Sequence, residues 1–326
     1  MNNIWRASIA LLLALFLAPQ VSAQQPSAEQ AGVLWFDRMA TALRELNFEA
    51  TLVQVQGDRI QPILWLHGRH ADDLEVELLI HLNGADVRIL RLGDQTSYYF
   101  QPADNSYSIN SDSTYGLLPA AFYKPFAQLN DYYQVIAGRG MRVTGRDTQY
   151  LRLVSRDNSR YHYSLWIDRE TGMVLKLQML TPQGQVLEQL QLTSFQLSEE
   201  LPVSLADLQG VQRPPRLFDA NSAVAPQFGF APSWLPIGFK LQRQTHRLLY
   251  ATQIAHDHFL YSDGLTEVSV YISRKRDQAL PELAFEGAES FYNSSKGEFA
   301  ITVVGKLPVA TLEQIADNVE ASGNSQ

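Results

Sequence analysis

Between residues 161 and 180 apolar and polar positions alternate on both sides of a turn. Tyr161, Tyr163, Leu165 and Ile167 alternate with His162, Ser164 and Trp166, and Asp168-Arg169-Glu170-Thr171-Gly172 follows. Leu175, Leu177 and Met179 then alternate with Lys176 and Gln178. A period of two around a glycine-containing turn predicts an antiparallel β-hairpin with one apolar face. Gly172 offers the positive φ that closing such a loop needs. Similar segments near 48–55, 62–67, 74–82, 86–92 and 96–101 are separated by Gly57-Asp58, Asn83-Gly84 and Gly93-Asp94. With 149–154 and 160–195 they predict an antiparallel sheet or open barrel with a concave apolar side. Ahead of them, Ala31, Leu34, Trp35, Met39, Ala42, Leu43 and Leu46 mark one face of a helix over 28–46. Residues 111–137 break the alternation with Leu117, Leu118, Phe122, Tyr123, Phe126, Leu129, Tyr132 and Tyr133 around Pro119 and Pro125. They predict short helices or a flap over one mouth of the sheet.

Six of the fifteen prolines fall between Pro202 and Pro236, which marks a boundary, because proline removes donors and favours extended chain. Beyond it, 237–249, 252–261, 265–273 and Phe299–Val304 predict strands, with Ser262-Asp263-Gly264 as a hairpin turn. Ala288–Tyr292 is too short to assign. Ala310–Val319 predicts a closing helix with Thr311 as N-cap and Leu312, Ile315 and Val319 on one face. The fold class expected is therefore α+β: an open antiparallel β-barrel with covering helices, then a smaller α+β domain. The expected divisions are a signal segment 1–23, a first domain 24–201, a proline-rich linker 202–232, a second domain 233–320 and a frayed tail 321–326.

Arg6, the twelve apolar-rich residues Ala7–Ala18 and Val21-Ser22-Ala23 have the form of a cleavable secretion signal, too short to span a bilayer. Export to a bacterial periplasm follows as an expectation. With no cysteine there is neither a disulfide nor a lipid-modified thiol. After removal of residues 1–23 the chain carries 25 basic and 34 acidic residues, net −9, which disfavours nucleic acid as a partner. Against that background Arg139, Arg142, Arg146, Arg152, Arg156, Arg160 and Arg169 face only Asp147, Asp157 and Asp168, a local +4. Both a solvated sheet face and a docking patch for anionic groups fit that cluster.

No catalytic constellation is present: no G-x-S-x-G, H-E-x-x-H, Walker loop or G-x-G-x-x-G. His256 and His258 could share a strand face, but a metal needs more ligands than these two. No enzyme, cofactor or metal is expected. The interior candidates are Tyr163, Leu165, Leu175, Leu177 and Met179 of the central hairpin, Leu78 and Ile80, and Phe122, Tyr123 and Phe126 of the flap. Ordinary core packing and an acyl-chain lining both suit them. Arg274, Lys275 and Arg276, at the end of a strand, suit either a solvated terminus or a partner-binding surface.

Further residues carry a resemblance. The helix, strands, flap and L-W-I-D-R-E-T-G-M-V-L-K-L turn make the first part similar to periplasmic lipoprotein carriers of the LolA/LolB type. Trp234-Leu235-Pro236-x-Gly238-Phe239, Tyr261-Ser262-Asp263-Gly264-Leu265, Val268-Ser269-Val270-Tyr271-Ile272, Gly287-Ala288 and Thr302-Val303-Val304-Gly305-x-Leu307-Pro308 follow in order. Together the two parts resemble the RseB/MucB family of periplasmic sigma-E regulatory proteins across nearly all of residues 24–320. The resemblance implies a negative regulator of the envelope stress response. Such a regulator binds the periplasmic segment of an RseA/MucA-type anti-sigma factor, shields it from stepwise proteolysis, and is released by lipoprotein or lipopolysaccharide acyl chains. It implies a lipid-sensing first domain and a partner-binding second domain, and homodimers occur in the family. A lipoprotein or lipid carrier is the alternative that the first domain alone would support.

Overall fold

The protein is described from a computed structural model covering residues 26–70, 72–111, 117–217, 224–249, 254–275 and 283–321. The signal-like segment 1–23 lies outside the described residues, as does the expected tail apart from Ala321. Among the described residues no helix is long and apolar enough to cross a membrane.

Helix α1 (Ala28–Glu45) begins with a reciprocal cap. The Gln30 amide donates to the Ser27 hydroxyl, and the Ser27 amide donates to the Gln30 side chain. Six strands follow as an antiparallel meander: β1 (Asn47–Gln56), β2 (Arg59–Arg69), β3 (Glu75–His81), β4 (Arg88–Leu92), β5 (Gln95–Tyr99) and β6 (Tyr107–Asn110). A second group comprises β7 (Tyr133–Gly138), β8 (Arg142–Val143), β9 (Arg146–Ser155), β10 (His162–Asp168), β11 (Val174–Leu180) and β12 (Val186–Ser198). Because β12 returns beside β1, all twelve form one sheet in the order β6-β5-β4-β3-β2-β1-β12-β11-β10-β9-β7, with β8 on β9. The terminal strands β6 and β7 do not pair with each other, so the barrel is open. Register shifts at Thr51/Leu52, Trp166/Ile167 and Met179/Leu180 mark bulges or irregularities of the kind that bend strands and increase their twist.

The expected hairpin is β10–β11, with Tyr163 opposite Met179 and Leu165 opposite Leu177. Gly172 has φ +85°, and Asp168 accepts from the Thr171 hydroxyl and amide. One expectation is corrected: β10 is buried along its whole length, not on one face only. Its polar side is covered because Tyr150 stacks obliquely on Trp166 and its hydroxyl bonds Ser164, while Ser155 N–H donates to His162. The flap is also shorter than expected, since 133–137 belongs to β7. Its described part, from Leu117 to Tyr132, carries two 3₁₀ turns, Ala120–Tyr123 and Phe126–Gln128, each preceded by a proline.

After β12, α2 (Val203–Ala206) and its flanks lay Leu201, Leu205, Leu208 and Val211 on the outer side of the sheet. Arg216 then bridges Ser108 on β6, so the proline-rich chain covers a sheet edge. The second unit comprises β13 (Phe230–Pro232), β14 (Lys240–Leu249), β15 (Ile254–Ser262), β16 (Glu267–Arg274), β17 (Leu283–Phe285), β18 (Ser290–Lys296), β19 (Phe299–Gly305), α3 (Val309–Asp317) and β20 (Val319–Ala321). Its main sheet runs β14-β15-β16-β19-β18-β17, and β13 pairs with β20. Helix α3 covers one face, burying Leu312, Ile315 and Ala316 against Val270, Ile272, Ile301 and Val303. Thr311 is not the N-cap. Pro308 holds that position, and the Thr311 hydroxyl donates 2.9 Å to Ser159 of the first unit. Ala288–Tyr292, unassigned from sequence, leads into β18.

Candidate functional site

The inner face of the large sheet meets α1 and the flap. Phe122, Tyr123, Phe126, Tyr163, Leu165, Leu175, Leu177 and Met179 all lie in this interior, each no more than 4% exposed. They pack with Phe36, Met39 and Leu43 of α1. Phe36 contacts Phe122 and Phe126 edge-on, with centroids 5.6 and 5.3 Å apart, and Phe122 meets Tyr163 at 5.8 Å. These eight residues are therefore brought together, but as a filled core in place of an open apolar hollow.

Leu78 and Ile80 are not among them. Register puts Leu66, Leu78 and Leu90 on one face of the sheet and Trp65, Leu79 and Ile89 on the other. Leu78 packs on the outer side with Leu66, Val76 and Leu205, and Ile80 shares its face. The inner face of β3 carries Glu75, Glu77 and Leu79.

Those carboxylates belong to a buried cluster that the sequence reading missed. Glu75 pairs with Arg91 at 2.6 Å and Arg44 at 2.9 Å, and lies 3.1 Å from His67. Glu77 pairs with Arg91 at 3.0 Å and accepts from the Trp65 indole at 2.6 Å. Burial works to raise the Glu75 pKa, but hydrogen bonds from His67 and Arg91 and the two guanidinium charges hold it far below the usual carboxylate range. Arg44 also donates 3.3 Å to the Tyr123 carbonyl and lies over the Tyr123 ring, tying the flap to this cluster.

Arg274 and Lys275 sit at the exposed end of β16, and Arg276 lies outside the described residues. Arg274 pairs with Glu298 at 3.2 Å. Arg274 and Lys275 line a groove of about 410 Å³ with Gln227, Phe228, His246, Ile254 and Ala255. Its floor is fixed: Asp257, fully buried, accepts from Gln227 and Phe228 amides and sits 2.7 Å from His246 Nδ1. His256 and His258 share a strand face, as expected, but both pack on Tyr271. Among the described residues no group of three potential ligands could hold a metal ion. Much of the arginine cluster is engaged internally. Arg146 pairs with Asp168 and Glu170, Arg156 with Glu29, and Arg160 with Asp157 and Asp263.

Comparison with known proteins places this architecture. Residues 32–215 match the MucB/RseB N-terminal domain, and residues 224–320 match the MucB/RseB C-terminal domain. The chain belongs to the MucB/RseB family. The sigma-E factor regulatory protein RseB of Haemophilus influenzae is 30% identical, over 95% of this chain and 96% of that protein. RseB of Salmonella typhimurium is 28% identical over 98% of both chains. The sigma factor AlgU regulatory protein MucB of Pseudomonas aeruginosa is 26% identical over 98% of both. MucB crystallised with MucA(peri) superposes with a TM-score of 0.71 at 25% identity, covering 90% of this chain and 99% of that one. Another crystal structure of MucB gives 0.59 over the same coverage.

Proposed function

We propose that this chain is a noncatalytic periplasmic regulator of the envelope stress response. It binds the periplasmic segment of a membrane anti-sigma factor of the RseA/MucA type and keeps proteases from it. Acyl chains of mislocalised lipoprotein or lipopolysaccharide release it. The observation that carries this reading is the full-length likeness, through both domains, to a relative whose structure was determined with MucA(peri) bound. The Arg274–Lys275 groove is offered as part of the partner surface, since its exposed cations and aromatic wall suit an acidic segment.

For the lipid response, the filled interior supports displacement and not simple occupation. An acyl chain takes the place of flap side chains on the inner face. Each methylene buried contributes about 0.8 kcal/mol, so two shift an equilibrium roughly tenfold. Release follows only because lipid prefers the displaced flap, which binds the partner more weakly. Capture of the purified periplasmic segment of an anti-sigma factor, with and without a lipopeptide or lipid A, tests the reading. Capture that lipid weakens is expected, together with weaker, salt-sensitive capture by Arg274→Glu/Lys275→Glu. Lipid transfer between membranes with no capture at all would favour a carrier instead.

A further inference from the structure

We infer that the hairpin tip Ser262–Thr266, between β15 and β16, is a relay by which the flap sets the position of the C-terminal sheet. This rests on the preceding reading, in which flap displacement weakens partner binding. The tip belongs to the second unit, yet it reaches into the first. The Ala121 amide of the flap donates 2.8 Å to the Gly264 carbonyl. Leu265, 6% exposed, is buried in the core cluster of the first sheet together with Phe122 and Tyr163. The Tyr163 ring of that cluster is the one that Phe122 of the flap meets edge-on, with centroids 5.8 Å apart. Asp263 pairs with Arg160 at 2.6 Å, both side chains fully buried.

The tip is rigid in its own right. Asp263 accepts from the amides of Leu265 and Thr266 at 2.9 and 2.8 Å, so the residue that pairs with Arg160 also shapes the turn. Arg160 is enclosed by the rings of Tyr132, Tyr133 and Phe239, and it donates to the Ile237 carbonyl. Two kinds of contact are thus combined. The Arg160–Asp263 pair joins the tip to the β9–β10 loop, and at the last residue of the flap Tyr132 lies over Arg160 and donates its hydroxyl 2.9 Å to the Asp263 carbonyl, so this corner, where the flap ends, suits a pivot. The Ala121–Gly264 bond and the Leu265 packing depend on the flap and serve as a latch. Moving the flap leaves Gly264 O without its donor and uncovers Leu265, while the pivot holds. The C-terminal sheet then turns about Arg160 and stays attached.

Amide hydrogen exchange on the full chain tests the relay without lipid or partner. Leu265→Ala should speed exchange of the Ala121, Phe122 and Leu129 amides at least tenfold, with the central β1 and β12 amides unchanged. A second variant guards against simple misfolding. A Cβ at Gly264 would lie 3.9 Å from that of Ala121, which suits a disulfide, and the chain has no other cysteine. Gly264 has φ +90°, so Ala121→Cys/Gly264→Cys is compared only with itself, oxidised against reduced. Oxidation should slow flap exchange and abolish lipid-driven release of a captured anti-sigma segment. Flap exchange indifferent both to Leu265→Ala and to the crosslink would overturn the relay. Wild-type capture insensitive to lipid would sink the release reading instead, and the exchange data would still decide the relay.

Discussion

His258 lies where basic groups converge. Burial, then Arg243, His256 and Arg247, holds its imidazole down at about 4, and it stacks on Tyr271 with Nε2 3.1 Å from the Ser269 hydroxyl. A histidine depressed in the fold binds fewer protons folded than unfolded between about 6.5 and 4. Stability from this residue is therefore complete above pH 6.5 and lost as pH falls towards 4. A shift of that size corresponds to about 2.5 kcal/mol lost between pH 7.5 and 4.5. Urea unfolding of wild type and His258→Gln at both pH values checks this, and the variant should show a correspondingly shallower pH dependence. Equal slopes would remove His258 as a cause. At the same scale, Leu78 and Ile80 show what alternation conceals. It reveals which residues share a face but not which face turns inward. Here the apolar side of β3 lies under Leu205, while the inner side carries Glu75 and Glu77. Sequence patterning rests on apolar burial, so an interior ion cluster inverts the inference. The mixed run W-L-H-G-R against E-V-E-L-L-I-H was the available signal: Trp65 and His67 fall on one parity, and Glu75, Glu77 and Leu79 on the parity that register sets beside them.

Among the elements, α1 depends on one glycine. A Cβ on Gly32 would sit 2.6 Å from the Val135 carbonyl oxygen and 2.9 Å from its carbon, and neither backbone atom can rotate away. Alanine gains about 1 kcal/mol in helix propensity, whereas overpacking costs about 1–3 kcal/mol. Gly32→Ala should therefore destabilise by up to about 2 kcal/mol, measured by denaturant unfolding; a stabilised variant would mean that α1 does not press on β7. Most strands were readable because period-two segments ended at Gly57, Gly84, Gly93 and Gly172, where φ is positive. The same reasoning placed α1 and α3. It could not give the return of β12 to β1, which depends on contacts distant in sequence, nor β13 and β20, which are only three residues each. The proline-rich stretch reads from sequence as a connector. That Ser108 donates to Pro215 O and accepts from Leu217, closing off the β6 edge, follows only from the fold.

At the scale of the whole molecule, the two sheets are joined by more than the connector. Lys306 reaches Glu188 at 2.8 Å, Tyr161 shares a hydrogen bond with Ser290 at 2.8 Å, and the 262–266 tip enters the first core. The motif Y-S-D-G-L was visible as a turn, but its partner Arg160 lies over a hundred residues away. No local pattern could have named that pair. An interface with buried polar bonds holds one arrangement firmly and changes it when a few contacts go, which suits the proposed role of shielding a partner and then releasing it. The most direct measurement is the rate at which a site-1 protease cleaves an anti-sigma periplasmic segment in the presence of stoichiometric full-length protein, with and without lipid A or a lipopeptide. The account predicts strong protection that either amphiphile relieves in proportion to its binding. Cleavage at the unprotected rate before any lipid is added would contradict it.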